Sequence, residues 1–367
     1  MRLCLFWFSL FFAFVWTPPR VLAQEASVGV YGQAAGRQSH VMPRVSVRTP
    51  AGSWIRAEAA YLVDVSSRAS VSLTRGDVQE ERRTQHELSA LFGVDTAKLR
   101  AAAHYRYVSL PDYVSHTVDF PLAYGWSDWT TKLTLHPYIR WNAISRISDP
   151  SFEQSSRMFG ARVGFQPWLD ARTVGQVTYE LQYATGFLGS PYNFVGLGGP
   201  RDITCTGADL CVPEQLPHQR MQHAVVLQGR RAVSEFASIG LLYRFFIDDW
   251  SMTSHTLESD VAWLPWERGL LRLRYRLYLQ SATEALLIAR DAFPASSELV
   301  TYLTGDARWA QLYTQRLSLE VEHTFSFAET VALTLFAAVG GYRVSFADDV
   351  YPSSTALEST VFAALKF

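Results

Sequence analysis

Three arginines lie on one face of a single short segment, residues 270–280, whose sequence is LLRLRYRLYLQ. They are Arg272, Arg274 and Arg276, and each is separated from the next by one residue. A guanidinium group binds carboxylate and phosphate groups through paired, charge-assisted hydrogen bonds. This spacing therefore predicts a positively charged surface that attracts anionic or hydroxyl-rich solutes.

The residues between these arginines are leucine or tyrosine, so the segment has a strict period of two. Such a period is the pattern of a β-strand with two different faces. An unbroken apolar face opposite a charged face suits a strand that lies between lipid and a water-filled lumen. The segment is therefore interpreted as a transmembrane strand whose arginines line the interior of a barrel.

About sixteen segments of the chain alternate in this way, each of a length suited to a tilted barrel strand. They begin near Ala26, Val41, Ser53, Glu81, Ala97, Asp112, Trp129, Ser156, Thr173, Gln219, Phe236, Ser251, Arg268, Tyr313, Thr330 and Thr355. The sequence thus predicts an all-β fold, a transmembrane antiparallel outer-membrane β-barrel of about 16 strands, with about 14 to 18 allowed by the ambiguous residues 299–310. The alternative is a soluble β-sandwich, which arginines opposite so many apolar faces disfavour.

Residues 1–23 begin with the basic residue Arg2, continue with a short apolar run and end in a small-residue exit at Ala23. This pattern predicts a secretory signal peptide that is cleaved after Ala23. The apolar run, residues 3–16, is shorter than the roughly 20 residues that a membrane-spanning helix needs. We therefore expect residues 24–367 to form a single barrel domain in the cell outer membrane.

The composition is 48% hydrophobic and 18% charged, and the net charge is -1. Such a balance argues against a nucleic-acid partner and fits outer-membrane lipid as one partner. The last alternating segment ends at Phe367, and a terminal phenylalanine resembles the signal read by the barrel-assembly machinery. Periplasmic export partners remain a further option.

Connections between the segments alternate between short and long, as expected when both chain ends lie in the periplasm. The long outer loops are predicted near residues 65–80, 143–155, 185–218 and 281–312. Cys205 and Cys211 lie in the third of these loops, and in an oxidising compartment they should form a local disulfide. A metal pair is the weaker alternative because two thiolates alone rarely hold zinc, so no metal and no cofactor are predicted.

The alternation assigns charged side chains to the interior, with basic groups outnumbering acidic ones roughly two to one. The candidate pore-lining residues are Arg272, Arg274, Arg276, Arg244, Arg140, Arg106, Glu258, Asp260, Glu320 and Glu322. Two interpretations of these residues have about equal weight. They form a structural ladder, since ladders of arginine and acid are common in barrel walls, or they form a positive strip that attracts solutes.

A regular hairpin between residues 251–263 and 268–280 would place Asp260 opposite Arg272. Glu258 would then face Arg274, so that two of the three arginines brace the wall. Arg276 would lie opposite Thr256 and lack an acidic partner, which makes it the first residue to test.

Catalytic constellations are sparse in this sequence. His104 and His136 fall on the inward parity, but no serine, histidine and acid set converges with them. The histidines at positions 86, 116, 223, 255 and 323 are interpreted as structural or interfacial. We therefore expect no enzymatic activity.

Several stretches together resemble a family of bacterial outer-membrane proteins known as the domain of unknown function 3570. They are Asp64-Val65 with EERR at 80–83, LPDYVS at 110–115, SPYNFV at 190–195, PEQLPHQR at 213–220, YRFFIDDWSMTSHT at 243–256 and RLRYRLYLQSA from Arg272. The resemblance implies an outer-membrane barrel and supplies no biochemical activity.

The function predicted from these residues is a channel or transport pore with a polar, arginine-rich lumen for anionic or sugar-like solutes. One alternative is the barrel component of polysaccharide export, suggested by Tyr138, Tyr278 and Trp54 beside the arginines. Another is a plugged structural or adhesion barrel that works through its outer loops. The sequence leaves these alternatives open.

Overall fold

The computed structural model describes residues 25–35, 38–50, 54–71, 78–126, 128–197, 210–283, 287–288, 302–328, 331–347 and 353–366. Sixteen antiparallel strands form one closed barrel, as predicted. No helix among the described residues is long and apolar enough to cross a membrane. The predicted signal peptide, Cys205 and Phe367 lie outside the described residues.

The barrel wall is built from strands in chain order. They are β1 (Glu25–Ala35), β2 (Gln38–Pro50), β3 (Ile55–Val71), β4 (Val78–Asp95), β5 (Leu99–Leu110), β6 (Tyr113–Asp119 continued by Leu122–Trp126), β7 (Thr131–Arg146), β8 (Asp149–Gln166), β9 (Thr173–Gly186), β10 (Gln219–Ala232), β11 (Ala237–Asp248), β12 (Thr253–Trp263), β13 (Gly269–Gln280), β14 (Leu312–Ser326), β15 (Ala332–Phe346) and β16 (Ser354–Lys366). Smaller elements are Trp168–Asp170 beside β9, the loop strands Phe194–Leu197, Leu210–Pro213, Leu287–Ile288 and Leu303–Thr304, and the 3-10 turn Ala307–Trp309.

Each wall strand pairs with the next, and β1 closes the barrel by pairing with β16. Val30 faces Pro43 of β2 on one side and Ala363 of β16 on the other. Closure leaves no strand edge, so the backbone donors and acceptors of the wall are satisfied within the protein. This is the condition under which a β-sheet can lie in lipid.

The two faces of the wall differ as the period of two requires. Large apolar side chains point outward and are exposed, including Leu227, Leu241, Val261, Leu273, Leu319 and Val339. Arginine, aspartate and glutamate occupy the inward positions of the same strands. A soluble protein rarely exposes so much contiguous apolar surface, whereas lipid covers it without cost.

The two ends of the barrel are unequal. The end that bears the connections 187–218 and 281–311 is called the loop rim, and the end that bears the short turns 96–98, 233–236 and 264–268 is called the turn rim. The connections predicted at 65–80 and 143–155 are much shorter, because β3 and β4 remain paired as far as Val71 and Val78, and β7 and β8 pair almost to their connection at 147–148. Backbone pairing continues there although the apolar alternation has ended.

Gly240 of β11 lies between Arg230 and Asp260, whose side chains join across it. Arg230 Nη2 lies 2.6 Å from Asp260 Oδ1 and 2.7 Å from Oδ2. A Cβ on Gly240 would overlap Asp260 Oδ1 and lie 2.6 Å from Arg230 Nη2. The absent side chain therefore makes room for this ion pair.

We expect Gly240→Val to separate Arg230 from Asp260 and to lower the free energy of unfolding by about 1–3 kcal/mol, the usual cost of overpacking. Gly229→Val on neighbouring β10 is the control, because a Cβ there meets only Val174 O at 3.9 Å. The measurement is the apparent unfolding temperature in detergent, followed by heat-modifiable gel mobility. Equal temperatures for the two variants would contradict this role of Gly240.

Candidate functional site

Arg272 and Arg274 each contact two carboxylates on the neighbouring strands. Arg272 Nη1 donates to Glu320 Oε2 at 3.2 Å, and its Nε lies 3.8 Å from Asp260 Oδ2. Arg274 Nε lies 3.6 Å from Glu258 Oε1 and 3.5 Å from Glu320 Oε1. These shared contacts connect β12, β13 and β14 into a braced wall, so the two arginines have a structural role.

The hairpin register differs by two residues from the expectation. Trp263 pairs with Leu271 rather than with Gly269, because Gly269 donates its N–H to Trp266 O and pairs only with β14. The Trp266 indole occupies the space where a Cβ of residue 269 would be. Arg274 therefore lies directly opposite Asp260, and the contacts of Arg272 with Asp260 and of Arg274 with Glu258 form along the diagonal.

Arg276 is exposed inside the lumen. The expectation placed Thr256 opposite it, but the structure places Glu258 there on one side and Arg316 on the other. Arg316 binds Glu358 instead. Within the part of the chain that the structure describes, Arg276 makes no ion pair, so its guanidinium is available to a solute.

Two further predicted pore residues, Arg244 and Arg140, lie on β11 and β7. Arg244 Nη2 donates to Glu180 Oε2 at 3.3 Å, and Arg162 Nε lies 3.3 Å from Oε1 of the same carboxylate. Arg140 Nε donates to Thr117 Oγ1 at 3.1 Å rather than to an acid. One carboxylate thus serves two guanidinium groups, and a third guanidinium has only a hydroxyl partner.

Two cavities of about 330 and 250 Å³ lie against the inner wall between β16 and β5. Arg44 and Arg48 line this space and share Glu58, at 3.8 and 3.0 Å, while 53% and 52% of their side-chain surface is exposed. Arg106, 40% exposed, lies 3.7 Å from Glu87. The larger cavity is lined by Arg44, Glu58, Ala60, Leu62, Glu87, Ser89, Leu91, His104 and Arg106.

Asp119 is buried where β6 is interrupted, and it joins two inward histidines. Its Oδ2 lies 2.9 Å from His104 Nδ1 and its Oδ1 lies 2.9 Å from His136 Nε2. Sequence reasoning placed both histidines inside but missed the aspartate, although its inward parity in β6 was a usable signal. The arrangement includes no nucleophile and braces three strands; no group of three His, Cys, Asp or Glu among the described residues is placed to hold a metal ion.

Glu322, the last predicted pore residue, faces inward on β14 opposite Leu270 and Phe336. No described residue forms an ion pair with it, so it adds a negative charge near the turn rim.

Cys211 lies on the loop strand Leu210–Pro213 and is disulfide-bonded. Its predicted partner is outside the described residues.

An aromatic cluster narrows the mouth at the loop rim. The Trp250 and Trp309 rings lie 5.1 Å apart, and the Arg220 guanidinium is 4.8 Å from each ring. Arg220 Nε also donates to Asp248 Oδ2 at 2.8 Å. Cation–π contact and a buried ion pair together fix this cluster against the inner wall.

Gln280, at the end of β13, attaches the loop before β14 to the wall. Its Nε2 donates to the carbonyl oxygens of Arg308 and Ala310, at 2.7 and 3.0 Å. Because Gln280 faces inward, residues 307–310 lie within the mouth of the barrel. Both the loop and the wall therefore line the entrance to the barrel.

Glu214 connects the two long loops. Thr304 Oγ1 donates to Glu214 Oε1, and the backbone N–H of Ser190 and Nδ2 of Asn193 both donate to Oε2 at 3.3 Å. Burial raises the pKa of this carboxyl above its ordinary value of 4.5, although the three hydrogen bonds oppose the effect. Burial therefore favours the neutral form of this acid more than water does.

A closed barrel of sixteen strands with an apolar outer surface and a charged interior defines an integral outer-membrane β-barrel. The family model "Protein of unknown function (DUF3570)" matches residues 140–337, more than half of the chain. The protein belongs to this family, and the resemblance seen in its motifs is confirmed.

Solved structures share the barrel at low sequence identity. A bacterial polysaccharide outer membrane secretin has a TM-score of 0.52 and 9% identity, covering 93% of this chain and 98% of its own. A loop L8 deletion mutant of OmpT, an outer membrane protein of Vibrio cholerae, has a TM-score of 0.48 and 9% identity, covering 95% and 99%. No curated protein matches the sequence. These likenesses show the fold alone.

We expect the contact between the long loops to weaken as pH rises. A carboxyl whose folded pKa is raised contributes stability that is complete below its unfolded pKa, 4.5, and lost as pH rises through the folded pKa. Amide exchange at residues 187–196 and 302–310, corrected for intrinsic rates, should therefore slow on acidification, by about tenfold per unit of pKa shift.

Glu214→Gln keeps the shape and the acceptor but removes the charge, so we expect slow exchange in these loops at both pH values. Glu267→Gln is the matched control, because Glu267 is exposed at the turn rim. Loops that exchange at the same corrected rate across the pH range in the unaltered protein would refute this account of Glu214.

Proposed function

We propose that this protein is an outer-membrane channel or transport pore that carries anionic or sugar-like solutes through its arginine-rich lumen. The observation that supports the proposal best is the cavity beside Arg44 and Arg48, which share the single carboxylate of Glu58. Two exposed guanidinium groups with one acid leave a positive charge facing a cavity. A passing anion meets that charge directly.

The wall supports an anion preference in a second place. Arg276 has no ion pair among the described residues, and it lies beside Arg316 in the register. In a confined, water-filled lumen with low-dielectric walls, such charges focus the field on the permeating solute. Arg272 and Arg274 contribute less, because their contacts with three carboxylates neutralise them locally.

Aromatic and amide groups extend the proposal to sugar-like solutes. Tyr138 faces the lumen, and its hydroxyl donates to Gln182 Oε1 at 2.7 Å. The ring lies over Gly160, where a Cβ would overlap it. A flat ring beside arginines and amides offers stacking and hydrogen bonds to a sugar ring, which also fits the alternative of polysaccharide export.

A second candidate, a plugged structural or adhesion barrel, rests on the loop rim. Trp309 and residues around it occupy part of the mouth and are held there by Gln280. In this alternative the lumen is closed and the long loops make the functional contacts. Neither candidate requires catalysis or a cofactor. In both, the protein is exported by means of a cleaved signal peptide and assembled into the membrane through its last strand.

Planar-bilayer recording separates these candidates. We expect the purified protein to conduct and to prefer anions, and Arg44→Glu with Arg276→Glu to shift the preference toward cations. Each reversal in a wet lumen should act by about 1 kcal/mol, or about fivefold in relative permeability. Charge reversals at Arg44 and Arg276 are preferable to changes in Arg272 or Arg274, which would break the braced wall.

Arg231→Glu is the control, since Arg231 points away from the lumen near the turn rim and contacts Asp170. Its selectivity should equal that of the unaltered protein. A conducting double variant with unchanged selectivity would refute the pore-lining role of Arg44 and Arg276. A correctly folded barrel that passes no ions would favour the plugged candidate.

A further inference from the structure

Four tyrosine–histidine pairs with the same geometry recur on the lipid-facing surface. In each pair the tyrosine hydroxyl lies 2.7 or 2.8 Å from histidine Nδ1, and the ring centroids are 6.1 or 6.2 Å apart. The pairs are Tyr61 with His86, Tyr105 with His116, Tyr179 with His223, and Tyr243 with His255. Fourfold repetition makes this a feature of the surface rather than a local accident.

The pairs occupy equivalent positions in their hairpins. Each tyrosine lies on a strand that runs toward the loop rim, and each histidine lies on the following strand. In the hairpin of β11 and β12, His255 faces Phe245 whereas Tyr243 faces Leu257. The histidine is thus two residues nearer the loop rim than its tyrosine, and the other three pairs share this diagonal.

We assign the tyrosine as the donor and Nδ1 as the acceptor in each pair, because the phenolic O–H has no other acceptor among the described residues. A neutral imidazole that accepts at Nδ1 carries its proton on Nε2. Each pair therefore presents an N–H donor that has no partner among the described residues.

Histidines on the two faces of the wall have different partners. The inward residues His40, His104 and His136 each contact an aspartate. On the outside, the hydrogen bonds and ring contacts of the four paired histidines within the described residues are all with aromatic side chains. His323 at the turn rim accepts from Trp266 Nε1 at 2.9 Å. The outward N–H donors near the loop rim are therefore not hydrogen-bonded to described carboxylates.

Two outward arginines lie in the same zone. Arg157 faces Trp141, whose ring stacks on His116 with centroids 5.8 Å apart. Arg343 of β15 is also outward and lies in the part of its strand next to the loop rim. Both are exposed, and neither forms an ion pair with a carboxylate in the described ranges. Unneutralised guanidinium groups on a lipid-facing wall call for an anionic partner outside the protein.

We propose that the four tyrosine–histidine pairs, with Arg157 and Arg343, form a belt that binds phosphate-bearing headgroups of outer-leaflet lipids. Below the belt the wall is apolar, with Leu241 and Val261 exposed toward the turn rim, so the belt lies where acyl chains give way to headgroups. A phosphate group offers several acceptor oxygens to the Nε2–H donors and pairs in a bidentate manner with arginine. This inference does not depend on whether the barrel conducts.

The test is native mass spectrometry of the full barrel in neutral detergent, titrated with bis-phosphorylated lipid A or with the same lipid after dephosphorylation. We expect the phosphorylated lipid to bind at least about tenfold more tightly, as loss of charge-assisted hydrogen bonds implies. The variant with His86→Phe, His116→Phe, His223→Phe and His255→Phe keeps the rings but loses the donors. It should reduce that preference about tenfold.

Arg157→Gln with Arg343→Gln is a second variant that changes only exposed side chains, so it remains informative if the histidine variant folds poorly. It too should bind the phosphorylated lipid more weakly, whereas the turn-rim control His323→Phe should bind it as the unaltered protein does. Equal binding of the two lipids, or full binding by the arginine variant, would overturn the proposal. So would inorganic phosphate alone displacing the lipid at millimolar concentration.

Discussion

The requirement that every backbone donor and acceptor within lipid be satisfied by the protein itself determines this structure. A sheet can meet it only by closing, and the pairing of β1 with β16 does so. Closure then gives every strand one lipid-facing and one inward face. Charged side chains are excluded from most of the lipid-facing surface and concentrated on the inward face. The arginines, acids and inward histidines therefore line the lumen. Fold and candidate site thus have the same physical cause.

This constraint explains which features the sequence could predict. Lipid imposes a period of two, so the strand count and the inward direction of Arg272 and Arg274 could be read from residue order. The turn register could not, because it depends on the Trp266 ring packing over Gly269. The extended hairpins at 65–80 and 143–155 were missed for a related reason: beyond the lipid, hydrogen bonds continue to pair strands without imposing an apolar pattern.

The details of the site depend on contacts between residues far apart in the chain. Asp119 could have been assigned inward by parity, but its bridge between His104 and His136 requires three neighbouring strands in register. The contact between Glu214 and Thr304 spans two long loops, neither of which carries a periodic signal. Sequence therefore predicts which side chains enter the lumen better than it predicts their partners.

Those partners determine where the lumen would act on a solute in the proposed pore. Arg272 and Arg274 look most prominent in the sequence, yet Glu320 and its neighbours bind both, which makes them part of the wall. Carboxylates shared between arginines join the wall strands. Wherever two arginines bind one acid, the positive groups also outnumber the negative ones. The stiffness of the wall and its residual positive charge thus have the same origin. The charge available to a solute lies at exposed sites such as Arg44 and Arg276, away from the centre of the ladder.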